Sequence, residues 1–242
     1  MGHGWEGAVL KLLRGKDFTL TVTGTESVTE HYRRIRVTDG GMLAATGVHP
    51  TMWVRLWFEG QGRRHQRAYT LVDPDPARGV FSLEFALHDG RASDWARRAA
   101  PGDTIEATVQ GSGFTPPKPP PAPLCVIGDT ASLPAATSLL AGAPDGVRTT
   151  VWFETVHDSD AGLAARLAEA PGRTLHAVRR EGGGAALVRR VRETLPGLLG
   201  DPAEAYVWIA CDTATTRALA ACAREHGVPR RRISALGYWR AA

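Results

Sequence analysis

A proline-rich segment in the middle of the chain, residues 114–123 with the sequence FTPPKPPPAP, places the strongest constraint on the fold. Six of its ten residues are proline. Proline fixes φ near about −65° and has no amide donor, which excludes this segment from a helix interior and from a central strand. We therefore predict an extended, semi-rigid spacer between two domains, with divisions at 1–115, 116–123 and 124–242.

The half before the spacer has the pattern of short strands. Six alternating or β-rich segments are separated by turn residues, and they are DFTLTVTGTESV, HYRRIRVTD, TMWVRLWFEG, QRAYTLV, GVFSLEFALH and DTIEATV. One helix, near residues 93–99, interrupts the series. This pattern predicts an antiparallel β-barrel of the Greek-key type.

The half after the spacer alternates short apolar strands with helices. The strands are PLCVIG, TTVWFET, TLHAV, AYVWIAC and RISALGYW. The helices between them are predicted near residues 133–141, 161–170, 185–194 and 213–226. Strands that alternate with helices predict a parallel, doubly wound α/β sheet.

The charge distribution argues against a nucleic-acid-binding protein. The net charge is +4, yet basic and acidic side chains are nearly balanced in each half: 14 and 13 in residues 1–115, and 14 and 12 in residues 124–242. Neither half is a basic arm. We therefore predict no nucleic-acid partner, and a mildly basic surface that suits an anionic small ligand.

Cysteine usage and hydropathy favour a cytoplasmic chain. No apolar run approaches the roughly 20 residues that span a membrane, and residues 1–16 lack the cleavage site of a signal peptide. The cysteines are odd in number and lack the spacing of a metal site, so we expect reduced, buried thiols and no bound metal. They are Cys125, Cys211 and Cys222.

The stretch RAYT, residues 67–70, lies in a predicted strand. Residues two apart on a strand share a face, so Arg67 and Tyr69 together offer a cation and a flat ring to a planar, phosphorylated ligand. Thr70 adds a hydroxyl. A surface arginine beside a half-buried tyrosine explains the same residues, and the local sequence leaves both interpretations open.

Two further segments have the pattern of phosphate sites. In HDGRASDWARR a strand ends, Gly90 permits a sharp turn, and Ser93 is predicted to cap a helix whose free amides suit a phosphate. In VIGDTASLPAATSLL an apolar strand runs into Gly-Asp-Thr and then a helix with Pro134 in its first turn, as in nucleotide diphosphate sites. An ordinary capped helix also explains the first segment, and the second lacks the GxGxxG spacing.

In chain order, these segments resemble the siderophore-interacting protein family. The matching stretches are RAYTLVDPD, GVFSLEFALHDGRASDWARRAAPGD, VIGDTASLPA, VWFETVHD, AYVWIACDTATTRALA and GVPRRRISALGYWR. The likeness extends over about residues 17–240. This family consists of flavin-dependent ferric-siderophore reductases related to the ferredoxin–NADP reductase fold. The resemblance therefore implies a barrel that binds FAD and an α/β domain that binds NADH or NADPH.

The resemblance assigns FAD to two segments of the barrel. The family signature for the isoalloxazine and ribityl groups is matched by Arg67, Ala68, Tyr69 and Thr70. The second arginine of that signature is replaced by Val72, and Arg91 is a candidate to supply the missing contact. The family's pyrophosphate site corresponds to His88, Gly90, Arg91, Ala92 and Ser93.

The resemblance assigns the nicotinamide dinucleotide to the second domain. The turn that faces it corresponds to Gly128, Asp129, Thr130 and Ala131, with Thr130 where the family has an acidic residue. Glu154 ends the next strand, a usual place for a group near the adenosine ribose. Arg179 and Arg180 are candidates for a 2′-phosphate, or else form a solvated basic face.

The end of the chain carries the family's closing motif, GYWR. Its aromatic pair, Tyr238 and Trp239, is expected either to shield the flavin or to pack on the sheet. Related reductases place a cysteine near the nicotinamide, at the position of Cys211, but siderophore reductases generally do not. We therefore expect no redox role for that thiol.

The implied activity is transfer of electrons from NADH or NADPH through FAD to Fe(III) in a siderophore. Arg63 and Arg64 are expected to face the approaching anionic chelate, and no protein acid or base is assigned to the electron steps. Ferredoxin is an alternative electron donor. Two other functions stay open: a flavin reductase for an iron–sulfur protein, an oxygenase component or a quinone, and a non-enzymatic protein that binds flavin or siderophore.

Overall fold

The computed structural model describes residues 15–60, 63–110, 113–168 and 172–240. They form two compact units that divide between Phe114 and Thr115. The predicted barrel and the predicted parallel sheet are both confirmed. Most of residues 1–16, where a signal peptide was considered, and the end of the helix predicted at 161–170 lie outside the described residues.

The first unit is a closed antiparallel barrel with strand order β1-β2-β5-β4-β3-β6. Its strands are β1 (Lys16–Thr29), β2 (Tyr32–Thr38), β3 (Trp53–Gly60), β4 (Arg63–Asp75), β5 (Val80–Ala86) and β6 (Thr104–Val109). The described residues of this unit also contain two helices, α1 (Met42–Thr46) and α2 (Arg91–Arg98). Helix α1 was not predicted from the sequence. The pairing of β6 with both β1 and β3 closes the barrel.

Alternation along the strands fills the barrel with apolar side chains. On β5, for example, Phe81, Leu83 and Phe85 are buried in the core. Strand β4 was predicted over the segment QRAYTLV, which ends at Val72. In the structure it continues through Asp73 and Pro74 to Asp75. A register shift between Val72 and Asp75 carries the strand past Pro74 and interrupts its regular pairing with β5.

The second unit is a five-stranded parallel sheet with strand order β11-β10-β7-β8-β9. Its strands are β7 (Leu124–Asp129), β8 (Thr149–Thr155), β9 (Arg173–Arg179), β10 (Tyr206–Asp212) and β11 (Ile233–Trp239). The helices are α3 (Leu133–Ala141), α4 (Ala161–Ala165), α5 (Ala185–Leu198) and α6 (Thr213–Glu225). Strands β7, β8 and β10 are buried along their whole length, as their continuous apolar sequences predict. All three cysteines are free and buried, as expected.

The proline-rich spacer contains neither helix nor strand from residue 113 to residue 123. It is nevertheless attached to the second unit by Arg232, which is 1% exposed. The guanidinium donates to the carbonyl oxygens of Pro119 (2.6 Å) and Ala205 (3.0 Å), and also to that of Glu204. Among the described helices, none combines the length and the apolar character that crossing a membrane requires.

Candidate functional site

Four packed aromatic rings join the two barrel segments that the sequence assigned to FAD. The Tyr69 ring on β4 lies 4.3 Å from that of Phe85, centroid to centroid. Trp95 on α2 lies 5.7 Å from Phe85 and 5.9 Å from Phe58. These contacts bring β4 and α2 onto one aromatic cluster.

The RAYT stretch presents its cation to solvent and its aromatic ring to the cluster. Arg67 is exposed, and its Nη1 atom donates to the carbonyl of Gln66 (2.8 Å). Tyr69 shares that face of β4 and is half-buried, and burial raises the pKa of its phenol. Ala68 is exposed and Thr70 is buried on the opposite face. A neutral ring beside an exposed guanidinium suits a flat anionic ligand.

The turn into α2 differs in one respect from the sequence prediction. Gly90 is the N-cap residue with φ 142°, a conformation that side-chain-bearing residues rarely adopt. This turn lets the helix begin at Arg91, two residues earlier than predicted, so the prediction that Ser93 caps the helix is wrong. The buried Ser93 hydroxyl lies in the first turn and accepts a hydrogen bond from the amide of His88 (3.1 Å).

Arg91 carries the strongest indication of a ligand in the barrel unit. Its Nη1 atom is buried and has no hydrogen-bond partner in the described structure. A buried donor without an acceptor is costly and calls for one from outside the chain. Next to it, Ala92 is buried and Gly90 is exposed. A phosphate oxygen supplies the missing acceptor, so these residues fit the phosphorylated part of FAD.

Val72, which replaces the family's second arginine, is buried on β4 and pairs with Ser82 of β5. It offers no polar atom of its side chain to a cofactor. The Nη1 atom of Arg91 on α2 is buried without an acceptor in the described structure, which supports the idea that Arg91 supplies the missing contact.

Of the two arginines assigned to the chelate, the structure describes the side chain of Arg64, which is less open than the sequence suggested. Arg63 lies in β4, and only its backbone belongs to the described part of the chain. The Arg64 guanidinium forms ion pairs with Glu106 (2.6 Å) and Glu59 (3.6 Å). Most of its charge is therefore compensated within the barrel. A cavity of about 420 Å³ near Glu106 is also lined by Asp17, and its acidic lining disfavours an anionic ligand.

At the carboxyl edge of the parallel sheet, five side chains form one interlocked charge cluster. They are Asp129 (end of β7), Glu154 (β8), Arg180 (directly after β9), Asp212 (end of β10) and Trp239 (end of β11). The sequence singled out four of these residues. Asp212 was missed, although an aspartate directly before a helix and followed by Thr-Ala-Thr is a recognisable N-cap signal.

Asp129 fixes the first turn of the α/β unit. Its Oδ1 atom accepts bonds from the amides of Ala131 (3.0 Å) and Ser132 (3.1 Å), and its Oδ2 atom accepts one from Trp239 Nε1 (2.8 Å). Burial raises the pKa of this carboxyl, and the three bonds only partly offset that effect. The carboxylate is therefore occupied by the protein. Thr130 and Ala131, which are not buried, are the turn residues open to a ligand.

Arg180 lies between two buried carboxylates. It pairs with Glu154 and with Asp212 Oδ2 (3.1 Å), and its guanidinium carbon lies 4.9 Å from the Trp239 ring centroid. Burial raises the pKa of Glu154, whose Oε1 atom has no partner in the described structure. Burial also acts to raise the pKa of Asp212, but bonds from Thr215 and Arg180 outweigh it and lower that pKa. The positive charge of Arg180 is therefore compensated by the carboxylates of Glu154 and Asp212.

The remaining predicted residues of this unit also have protein partners. Arg179 forms an ion pair with Asp158. The Tyr238 ring lies edge-on to Trp208 at 6.4 Å, so both aromatic residues of the closing motif contact the sheet unit. Cys211 is fully buried, and burial raises the pKa of its thiol, which opposes thiolate formation.

A groove of about 600 Å³ between α5 and α6 was not anticipated from the sequence. Its lining consists of Gly182, Gly183, Gly184, Ala185, Val188, Arg189, Arg192, Glu193, Ala214, Thr215 and Ala218. The three glycines follow β9, and α6 follows β10, so the groove lies at the carboxyl edge of the sheet. The Gly-Gly-Gly run at the start of a helix was the available sequence signal.

Comparison with known proteins identifies both halves. Residues 122–242 match the profile of the siderophore-interacting protein family, and residues 48–111 match its siderophore-interacting FAD-binding domain. FAD is thereby confirmed as the expected cofactor. The mycobactin import ATP-binding/permease protein IrtA of Mycolicibacterium thermoresistibile is 32% identical over 99% of this chain. The chain spans about a quarter of the length of such curated relatives, 26% in this case.

Solved structures show the same fold. The siderophore-interacting protein from Acinetobacter baumannii has a TM-score of 0.80 and 19% identity, with 94% of this chain and 92% of that chain covered. A ferredoxin–NADP+ reductase from Neisseria gonorrhoeae, solved with FAD and NADP, has a TM-score of 0.70 and 15% identity, with 93% and 99% covered. These likenesses place the chain on the reductase fold, and the profile matches show that it belongs to the siderophore-interacting protein family.

Proposed function

We propose that this protein is an FAD-dependent ferric-siderophore reductase that draws electrons from NADH or NADPH. The match to the FAD-binding domain and the reductase fold support a flavin-dependent oxidoreductase. The family match supports a siderophore as the substrate, and the relatives named for mycobactin import favour an iron chelate over a protein acceptor.

One observation carries the flavin part of the proposal. The domain that matches the FAD-binding profile holds a buried guanidinium nitrogen of Arg91 without an acceptor, on the helix that packs beside Tyr69. A phosphorylated, planar molecule satisfies both groups at once. A protein that bound only a siderophore would not need a hydrogen-bond donor for a phosphate group together with a flat aromatic ring.

When bound, FAD accepts two electrons from a nicotinamide and releases them one at a time to Fe(III), which the nicotinamide alone does not do. The chain supplies binding and orientation. We assign the pyrophosphate charge to Arg91, and the isoalloxazine and ribityl groups to Arg67 and Tyr69. Thr70 is retained as part of the same cofactor segment, although its side chain is buried on the opposite face of β4. His88 and Ser93 shape the turn through the bond between them.

The same proposal assigns the two halves of the chain. Residues 1–115 bind FAD, residues 116–123 are the linker, and residues 124–242 bind the nicotinamide dinucleotide at Gly128, Thr130 and Ala131. Asp129 and Glu154 maintain this edge through their internal bonds, and Tyr238 and Trp239 cover it. Ferredoxin is kept as an alternative donor, and the cytoplasm as the proposed location.

Anaerobic stopped-flow absorbance of the FAD-loaded chain tests this function. The flavin is first mixed with NADH or NADPH, and then with a ferric siderophore in the presence of a ferrous trap. We expect bleaching by the nicotinamide, followed by reoxidation and the colour of the ferrous complex. Bleaching without reoxidation by any chelate would assign the protein to another acceptor, and FAD binding without any reduction would leave it a flavin-binding protein.

A further inference from the structure

The groove between α5 and α6 combines an apolar floor with a positively charged rim. Val188, Ala214 and Ala218 supply apolar surface, while Arg189 and Arg192 outnumber Glu193 among its charged residues. Its volume of about 600 Å³ is within the range of small-molecule sites, about 300–1,000 Å³. Ligands of open α/β sheets bind outside the carboxyl ends of the strands, which is where this groove lies.

The glycine run brings the floor of the groove close to α6. Gly184 has φ 100°, and a Cβ atom at this position would collide with the hydroxyl of Thr215. That hydroxyl donates to Asp212 Oδ2 (2.6 Å), one of the carboxylates that hold Arg180. The wall of the groove is therefore tied to the charge cluster of the sheet edge, and any other residue at position 184 would push the two apart.

The arginines near this edge differ in how much of their charge remains available. Arg179 is paired with Asp158, and Arg180 with Glu154 and Asp212. Arg192 is paired with Glu225 at 3.1 Å. Arg189 is exposed and forms no ion pair within the part of the chain that the structure describes. Arg179 and Arg180, the two candidates that the sequence offered for a phosphate, are thus already neutralised by carboxylates.

We infer that this groove binds the adenosine half of NADPH, with the 2′-phosphate on Arg189. This inference rests on the proposed function, because it names the electron donor of the same enzyme. A phosphate monoester carries about −1.5 to −2 charges at neutral pH, and an arginine fork binds it with two parallel hydrogen bonds. The purine packs on the apolar floor. NADH has a hydroxyl at this position and gains no ion pair.

Arg180 is a poor partner for the same phosphate. Turning its guanidinium toward a ligand would leave the buried carboxylates of Glu154 and Asp212 without their counterion, at a cost larger than a surface phosphate contact returns. Within the described residues, Arg189 has no ion pair that it would have to give up. Its selection over Arg180 thus follows from charge pairing rather than from position along the chain.

Isothermal titration calorimetry of the full chain with 2′,5′-ADP and with 5′-AMP tests this assignment without any turnover. We expect the wild type to bind 2′,5′-ADP at least about tenfold more tightly than 5′-AMP, because one charge-assisted bidentate contact differs between them. Arg189→Ala should remove most of that ratio. Arg190→Ala is the matched control, since Arg190 is exposed and adjacent but does not line the groove.

Three results would overturn the inference. They are equal binding of the two nucleotides by the wild type, an unchanged ratio in Arg189→Ala, and loss of the ratio in Arg179→Ala instead. The fate of the proposed function is read separately. Flavin reduced by dithionite is mixed with a ferric chelate, a reaction that does not involve the nucleotide groove. If the reduced flavin is reoxidised by the ferric chelate but the chain shows no preference for 2′,5′-ADP, the proposed reductase function is retained and only the assignment of NADPH is rejected.

Discussion

The predicted FAD segment of the barrel and the carboxyl edge of the parallel sheet use their arginines in opposite ways. In the barrel, Arg67 is exposed and Arg91 keeps a buried nitrogen without an acceptor. At the edge of the parallel sheet, Arg180 is shared between two buried carboxylates and lies over an indole ring. The FAD segment thus leaves hydrogen-bonding capacity for a ligand, whereas Arg180 at the sheet edge uses that capacity to hold the strand ends together.

This difference shows why an arginine at a predicted site is not enough to assign a ligand. A guanidinium that already has two carboxylate partners must lose them before it can bind a phosphate. An unsatisfied one gains stability from the same phosphate. The predictions below test, in order of decreasing effect, whether the charge cluster is structural and whether the barrel arginine is reserved for the cofactor.

Removing Arg180 should have the largest effect on stability. Arg180→Met leaves Glu154 and Asp212 buried without a counterion, so we expect the free energy of unfolding of the α/β unit to fall by about 3–5 kcal/mol. Urea unfolding followed by tryptophan fluorescence measures this loss. Arg179→Met is the control, because its exposed pair with Asp158 contributes little, about 0–1 kcal/mol. Equal losses in the two variants would mean that the cluster is not a structural unit.

Local sequence patterns predicted the elements of the fold but not the charge pairing. The bounds of β8 (Thr149–Thr155) and α3 (Leu133–Ala141) coincide with the predicted segments, because hydrophobic runs and a first-turn proline are local signals. The ion pairs of Arg180 join residues from three strands, and only the order of the strands brings them together. The sequence therefore indicated this edge of the sheet as a candidate site but gave no sign that Arg180 pairs with two buried carboxylates.

Removing Arg91 should weaken FAD rather than the fold. Because Arg91 has a buried nitrogen without an acceptor in the described structure, we expect Arg91→Ala to remove a ligand contact without breaking a hydrogen bond of that nitrogen within the protein. We expect the Kd for FAD to rise about ten- to hundredfold, as for the loss of one hydrogen bond to a charged group. Quenching of flavin fluorescence measures it. The control is Arg98→Ala, an exposed arginine at the far end of α2.

The Arg91 experiment also has a clear contrary outcome. If Arg91→Ala binds FAD like the wild type and Arg67→Ala does not, the pyrophosphate contact belongs to β4 alone. If both variants bind normally, the barrel arginines are not reserved for the cofactor, and the contrast between the two units loses its functional meaning.

The raised pKa of Asp129 makes the stability of the sheet unit depend on pH. In the interval above the ordinary value of 3.8, the folded chain keeps a proton that the unfolded chain has lost, so stability falls as the pH rises through the raised pKa. Asp129→Asn removes this dependence. We expect the free energy of unfolding of the variant, relative to that of the wild type, to increase with pH. The increase is at most about 1.4 kcal/mol per pH unit while the carboxyl of Asp129 titrates.

Urea unfolding of both chains at pH 4, 5, 6 and 7 tests that prediction. The charge of Asp129 also contributes to the raised pKa of Glu154, so the difference between the two curves reports the titration of Asp129 together with its coupling to Glu154. The amide cannot accept all three bonds of the carboxylate, so a constant loss is expected at every pH. If the difference in unfolding free energy between the two chains did not change with pH, the carboxyl of Asp129 would titrate normally in the folded protein.

The smallest effect is expected from Arg64, the described member of the arginine pair first assigned to the siderophore. Its ion pairs with Glu106 and Glu59 are partly exposed, so Arg64→Gln should cost only about 0–1 kcal/mol of stability. Because those carboxylates already compensate its charge, we expect the KM for an anionic ferric chelate to change less than about twofold at low salt. A several-fold rise in KM, with kcat preserved, would return this arginine to the substrate site. It would also show that a paired cation of the barrel exchanges its partners for a ligand, which is the behaviour that the sheet edge is expected to lack.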